Sequence, residues 1–116
     1  MFADTLVDNN IWTLRGAFKK TNAPIWRSLE YKLSRSRSNK REVNVRRLAR
    51  VTKNGEVVVI PSKLLGAGAI GHKLIVCAFS ISEMAARKII ESGGKVITLE
   101  DLIERYPDGR GVRIIG

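Results

Sequence analysis

The stretch "VVVIPSKLLGAGAIGHKLIVCAFS", residues 57–80, decides the fold of this chain. It holds two apolar runs, rich in β-branched residues, on either side of a glycine-rich segment. Unbroken apolar runs of this length are typical of strands buried on both faces of a sheet. We therefore predict two core strands, at residues 57–60 and 74–79.

The segment "GAGAIG", residues 66–71, spells the G-x-G-x-x-G fingerprint of a dinucleotide-binding turn. That turn must follow a strand directly and open a helix, because the pyrophosphate binds at the helix N-terminus. Here "PSKLL" separates the glycines from the strand before them, and the apolar run that follows predicts a strand. We therefore predict a loop between a helix and a strand instead of a site for NAD. Such glycines allow another backbone, including that of a nucleic acid, to approach closely.

The C-terminal half repeats one pattern, in which a strand, a cap, a helix and a glycine follow one another. In the first unit the short segment "SKLL" is the predicted helix, and in the second "SISE", residues 80–83, is a predicted capping box. This alternation predicts an α/β domain of layered strands and helices. The units span residues 57–66, 74–93 and 96–109, and a last strand follows at 112–115.

The positive charge is concentrated in one part of the chain. Residues 15–50 hold 12 of the 21 lysines and arginines and only two of the 11 acids, so they carry the whole formal net charge of +10. A solubilising surface would spread such charge more evenly. Concentrated charge favours a polyanionic partner, because neutralising phosphates releases counterions.

The basic region is predicted to contain two amphipathic helices. Pro24 suits a first helical position, and Ile25, Trp26, Leu29 and Leu33 recur at helical spacing behind a basic outer face. After the loop "SRSRSNKRE", residues 34–42, a short helix begins with Asn44 as its cap. Its predicted buried stripe is Val45, Leu48 and Val51, and its outer face carries Arg46, Arg47 and Arg50.

The loop at residues 34–42 alternates serine and arginine and lacks an apolar anchor. A flexible linker would have a similar composition, but the density of cations favours a loop that follows a phosphate backbone. Residues 1–20 fit either a frayed helix or an extension that orders only on a partner. We therefore predict an N-terminal extension at 1–20, a basic helical region that binds a polyanion at 21–52 and an α/β core at 53–116.

Little in the sequence suggests catalysis. Cys77 is the only cysteine and falls within a predicted strand, and no cluster of cysteine and histidine offers a metal site. His72 is the only histidine and has no neighbouring nucleophile, so we interpret it as a polar loop residue able to contact phosphate or ribose. The acids between Glu100 and Glu104 fall in the first turns of a helix, where they complement its dipole. Arg110 and Arg113 are expected to be free to contact a partner.

Neither a membrane span nor a signal peptide is expected, since the chain lacks a run of 18 apolar residues and begins "MFADTLVDNN". We therefore predict an intracellular protein with no catalytic residue, cofactor, metal or small-molecule substrate.

Several motifs occur in an order that resembles one known family. They are "NAPIWR", "EVN" before a short helix, "VVVIPSKLLG", "AFSISE", "GG" and "GVRI", and together they span roughly residues 20–116. In this respect the chain resembles the ribosomal protein eighteen-e family of the archaeal and eukaryotic large subunit, which is related to bacterial ribosomal protein fifteen. The chain's size is similar to that of archaeal members, whereas residues 1 to about 18 depart from the family's more basic opening.

The resemblance implies an irregular superhelix of strand–strand–helix turns in one α/β domain with a basic N-terminal helical extension. It also implies a structural, non-catalytic role in the cytoplasmic ribosome, with large-subunit ribosomal RNA and neighbouring large-subunit proteins as partners. The alternative is a general basic nucleic-acid-binding protein outside the ribosome. The RNA-binding candidates are Arg27, Lys32, Arg35, Arg37, Lys40, Arg41, Arg46, Arg47 and Arg50, followed by Lys63, His72 and Lys73 around the glycines.

Overall fold

The computed structural model describes residues 2–36 and 42–115, with side chains at 10–33 and 42–115. In this part of the chain, a pair of helices precedes five strands and three further helices. In chain order the elements are α1 (Phe2–Thr21), α2 (Pro24–Ser36), β1 (Glu42–Asn44), α3 (Val45–Val51), β2 (Glu56–Leu65), β3 (Leu74–Ile81), α4 (Glu83–Glu91), β4 (Lys95–Val96), α5 (Leu99–Arg105) and β5 (Val112–Ile114).

The strands form one parallel sheet in which β2 is central. One edge of β2 pairs with β3, which in turn pairs with β4. The first half of β2 also pairs with β5 through residues 57–59, and its last residues, 63–65, pair with β1. Strand β2 therefore holds three other strands in register, and helices must cover both faces of the sheet.

Alternation along β2 assigns its side chains to two cores. Val57 and Val59 pack with α1, α2 and α5 on one face, whereas Val58 and Ile60 pack with α3 and α4 on the other. All four are buried. The predicted α/β class and the burial of this strand on both faces are confirmed.

Helix α1 covers most of the N-terminal segment for which the sequence leaves two alternatives open. It is helical from Phe2 to Thr21, and its Leu14 and Ala17 are buried in the core beneath α2. Asn22 has a left-handed φ of 55°, and its N–H donates to the carbonyl of Phe18 at 2.7 Å, which turns the chain from α1 into α2. Trp26, buried as predicted, donates its indole N–H to the carbonyl of Pro107 at 2.8 Å.

The predicted helix "SKLL" is wrong, because β2 continues as a strand to Leu65. Its register with β3 shifts between Ile60 and Lys63, which is where Pro61 lies. Proline has no N–H to donate to a ladder, and bulges tolerate it within a sheet. The glycine segment consequently joins two strands, and not a helix to a strand as predicted.

Other local predictions need smaller corrections. Strand β1 was not predicted, and Val51 in α3 is 37% exposed where a buried residue was expected. Helix α4 begins after Ser82, whose hydroxyl accepts from the N–H of Ala85, so the cap lies two residues beyond the start of the predicted box. Helix α2 continues to Ser36, and residues 37–41 of the predicted loop lie outside the described residues.

Candidate nucleic-acid interface

The glycine segment is the return connection between two adjacent parallel strands. Residues 66–73 must run back along the length of β2, and they do so between α3 and α4. On one side the N–H of Arg46 donates to the carbonyl of Ala67 at 2.9 Å. On the other side Lys88 Nζ donates to the carbonyls of Gly66 and Gly68, at 2.5 Å each. The backbone of this loop is therefore held by both neighbouring helices.

Close packing explains two of its three fingerprint glycines. A Cβ at Gly66 would lie 2.7 Å from Cγ of Met84. Gly68 has a φ of +101°, and a Cβ there would lie 2.5 Å from Cβ and 2.8 Å from Cα of Arg46. Gly71 differs, because nothing lies within 4 Å of its Cβ position. No helix begins after Gly71, which agrees with the prediction that this is not a dinucleotide-binding turn.

Helix α3 presents three arginines to solvent beside this loop. Val45 and Leu48 anchor the helix in the core, so Arg46, Arg47 and Arg50 lie on its exposed side. None of the three forms an ion pair with any side chain that the structure describes, at residues 10–33 and 42–115. Three unneutralised guanidinium groups within five residues create a strongly positive surface.

His72 and Lys73 lie at the C-terminal end of α3. Thr52 Oγ1 donates to the carbonyl of Leu48 at 2.6 Å and lies 2.8 Å from Nε2 of His72. Since the hydroxyl has one proton, Nε2 must be the donor in the second bond. Lys73 is exposed, and its N–H donates to Asn54 Oδ1 at 2.9 Å. We call the combination of Arg46, Arg47, Arg50, loop residues 66–71 and Lys73 the α3–loop surface.

The other predicted residues do not join this surface. Arg27 and Lys32 are exposed on α2, which packs on the opposite face of the sheet. Lys63 precedes Leu64, which points into the α3 side, so the side chain of Lys63 points the other way. Arg35 belongs to α2, but its side chain is not described, and Arg37, Lys40 and Arg41 lie outside the described residues.

Arg113 is not free to contact a partner, which corrects the expectation from sequence. Its Nη1 donates to the carbonyl of Val51 at 2.7 Å and to Oε2 of Glu56 at 3.0 Å. Arg113, together with the backbone N–H of Lys53, lowers the pKa of Glu56. Arg110 is exposed, as expected.

The structure also brings forward residues that the sequence did not single out. Lys88 falls within an amphipathic helix, and nothing local marks it as the residue that holds the loop. Arg15, Phe18 and Lys19 line a groove against α2. The apolar residues Leu14 and Ala17, three residues apart in the sequence, were the available indication that this segment is a packed helix.

The remaining titratable groups fit structural roles. Burial raises the pKa of Cys77 to about 12, so its thiol stays protonated at neutral pH and is a poor nucleophile. Thr98 caps α5 by accepting from the N–H of Asp101, which places the acids of this helix in its first turns as predicted. Among the residues that the structure describes, no three acids, cysteines or histidines are placed to share a metal ion. No helix of the described residues has the length and apolar character that crossing a bilayer requires.

Comparisons with known proteins find relatives that match most of this chain. A sequence model described as "Ribosomal protein 60S L18 and 50S L18e" matches residues 13–116. Three archaeal relatives, each called large ribosomal subunit protein eL18, are similar over most of their length. The Pyrobaculum aerophilum protein is 47% identical, covering 88% of this chain and 84% of the relative. The Archaeoglobus fulgidus protein is 39% identical, covering 96% of this chain and 92% of the relative. The Methanococcus maripaludis protein is 43% identical, covering 83% of this chain and 80% of the relative.

Proposed function

The chain belongs to the family of ribosomal proteins 60S L18 and 50S L18e, and from this premise we propose that it binds large-subunit ribosomal RNA through the α3–loop surface. The family is a structural component of the ribosome and not an enzyme. In this proposal the protein contributes no reaction, and its charged surfaces hold folded RNA in the large subunit beside neighbouring proteins.

The observation that carries the proposal is the set of exposed arginines on α3 beside a loop of small residues. Arginine presents a planar fork that grips phosphate oxygens with two hydrogen bonds. Ala67, Ala69 and Gly71 are exposed on the adjoining loop and have little or no side chain. A phosphate backbone can therefore come close to the protein backbone while the arginines bind it from the side.

Several features favour recognition of RNA shape over base sequence. A-form RNA hides its base edges in a deep, narrow groove, so phosphates and 2′-hydroxyls carry most contacts to a duplex. His72 lies at the edge of the surface, and its Nε2 donates to Thr52. Its Nδ1 is then the acceptor of the neutral ring and can accept a hydrogen bond from a ribose 2′-hydroxyl. On sequence grounds the proposal extends to the cations at the end of α2 and beyond it, Arg35, Arg37, Lys40 and Arg41.

The test is a triple variant, Arg46→Gln, Arg47→Gln and Arg50→Gln, measured against a large-subunit RNA transcript over a range of salt concentrations. Each lost phosphate contact should reduce the slope of log K against log salt by about 0.9 for a duplex. We therefore expect weaker binding and a slope reduced by about 2 to 3.

The matched control replaces three other exposed cations, Lys20, Lys95 and Arg105, with glutamine. This control loses the same formal charge as the arginine triple variant, so the non-specific attraction to RNA falls equally in the two variants. Equal losses in the two variants would contradict a localised surface. Equal affinity of the wild-type protein for duplex DNA and for the transcript would favour the alternative, a general basic nucleic-acid-binding protein.

Assembly is tested separately in native lysate. The protein should sediment with the large ribosomal subunit through a sucrose gradient at moderately high salt. If it stays at the top while other ribosomal proteins remain bound, the ribosomal role of this chain is refuted.

A further inference from the structure

A second basic surface lies on the other side of the sheet, in the groove between α1 and α2. Two adjoining hollows of about 470 and 600 Å³ meet at Phe18, Arg27 and Tyr31. Their volumes fall within the range of small-ligand sites, about 300–1,000 Å³. The α1–α2 groove is defined by Arg15, Phe18, Lys19, Arg27, Glu30, Tyr31 and Lys32.

The groove combines aromatic rings with a guanidinium plane. Tyr31 is 63% exposed at this groove. Phe18 is half-buried, and the guanidinium of Arg27 lies 5.5 Å from the centre of its ring. Unpaired RNA bases stack on aromatic faces and on arginine planes, whereas duplex RNA has no free base to offer them.

The charge of the groove favours an anionic chain. Arg15, Lys19, Arg27 and Lys32 line it, and Glu30 is the acid among its defining residues. Glu30 is already bound, since its Oε1 accepts from Nε of Arg15 at 2.6 Å. The excess positive charge therefore complements phosphates on either side of a stacked base.

The groove and the α3–loop surface cannot contact the same RNA duplex face. Helices α1 and α2 pack in the core with Val57 and Val59, whereas α3 packs with Val58 on the opposite face of the sheet. We propose that the α1–α2 groove binds a single-stranded RNA segment with a base stacked on Tyr31, so that the protein joins two RNA segments. This inference rests on the proposed function, because it takes RNA as the partner.

The direct test uses the full chain and a short oligoadenylate containing 2-aminopurine, whose fluorescence falls when it stacks. We expect binding with quenching in the wild-type protein and about tenfold weaker binding in Tyr31→Ala, the usual effect of losing one stacked base. Tyr31→Phe keeps the ring and should keep the affinity. Circular dichroism checks that Tyr31→Ala folds, and if it does not, Lys19→Glu at the exposed rim should weaken binding instead. Lys95→Glu, which changes the net charge by the same two units as Lys19→Glu, serves as the charge control.

The arginine triple variant of α3 separates this inference from the proposed function. It should lose affinity for the large-subunit transcript while binding oligoadenylate as the wild type does. Wild-type protein immobilised on the transcript should then capture the oligoadenylate, which the bridging role requires.

Three results would overturn the inference. One is binding to the transcript without binding to oligoadenylate, which leaves the proposed function intact. Another is equal affinity of Tyr31→Ala, Lys19→Glu and wild type for oligoadenylate. In the third, polyglutamate displaces oligoadenylate, and its own binding is weakened by Tyr31→Ala to the same extent. This result would identify an acidic peptide as the occupant of the α1–α2 groove. If the wild type binds neither RNA, the proposed function fails as well.

Discussion

Gly66, Gly68 and Gly71 belong to one sequence fingerprint, but the physical reason for a glycine differs among the three positions. At Gly66 and Gly68 the neighbouring helices leave no room for a Cβ, and Gly68 also needs a left-handed φ. At Gly71 neither reason holds, because its Cβ position faces open space and its φ is not left-handed. A sequence pattern therefore groups residues that the fold treats differently.

Alanine substitutions should distinguish these glycines. Gly68→Ala combines backbone strain with a clash against the main chain of Arg46, so we expect it to lower the free energy of unfolding by about 2 kcal/mol or more. Gly71→Ala should be neutral or stabilising by up to about 1 kcal/mol, because it restricts the unfolded chain. Urea denaturation of the free protein measures both. If Gly71→Ala lowered the free energy of unfolding as much as Gly68→Ala does, the packing explanation would be refuted.

Among the elements, helix α4 holds the glycine loop in place. Ala85 and Ile89 pack this helix against the sheet, and Lys88, half-buried on the same helix, reaches the carbonyls of Gly66 and Gly68. The adjacent Arg87 is exposed and, among the described residues, forms an i,i+4 ion pair with Glu83 at 3.5 Å. We therefore expect these two neighbouring cations on one helix to contribute very differently to stability.

Removing Lys88 should loosen the loop. Lys88→Met takes away a charged donor from two carbonyls, and we expect the free energy of unfolding to fall by about 2 kcal/mol. Amide hydrogen exchange should become faster at residues 66–71 in particular. Arg87→Met is the matched control and should change stability by less than about 0.5 kcal/mol. Unchanged exchange in Lys88→Met would show that the loop is held by other contacts.

At the scale of the whole molecule, Arg113 joins elements that are distant in the sequence. It lies on β5 and binds the carboxylate of Glu56 at the start of β2 and the carbonyl of Val51 at the end of α3. Strand β5 also pairs with β2, so the C-terminal strand and the basic helix are held by one side chain.

This arrangement predicts a dependence of stability on pH. The pKa of Glu56 is lowered in the folded state, chiefly by its hydrogen bond with Arg113. Its ionised form therefore stabilises the fold above the ordinary glutamate pKa of about 4.3, and this contribution is lost as the pH falls through the lowered value. Urea denaturation from neutral to acidic pH should show a stability difference between wild type and Glu56→Gln that shrinks in acid. A difference that persists at the most acidic pH would contradict the role of the ionised carboxylate.

Much of the architecture was predictable because the relevant patterns are local. The unbroken run at residues 57–60 indicated burial on both faces, and Trp26 and Leu29 recur at helical spacing on the buried face of α2. The helix predicted at "SKLL" was wrong, because strand pairing on both edges of β2 outweighs local preference around Pro61. The predicted burial of Val51 was also wrong, because apolar residues recurring every three or four positions do not show where the core ends.

The sequence by itself determined the α/β class, the concentration of positive charge in residues 15–50 and the family to which the chain belongs. Only the tertiary structure decided which cations share a surface, because α2 and α3 follow one another in the chain but cover opposite faces of the sheet. It likewise decided that Lys88 binds a loop 20 residues away and that Arg113 binds Val51 across 62 residues. Such contacts depend on how layers assemble, whereas helical and strand periodicity depends on neighbours within a turn or two.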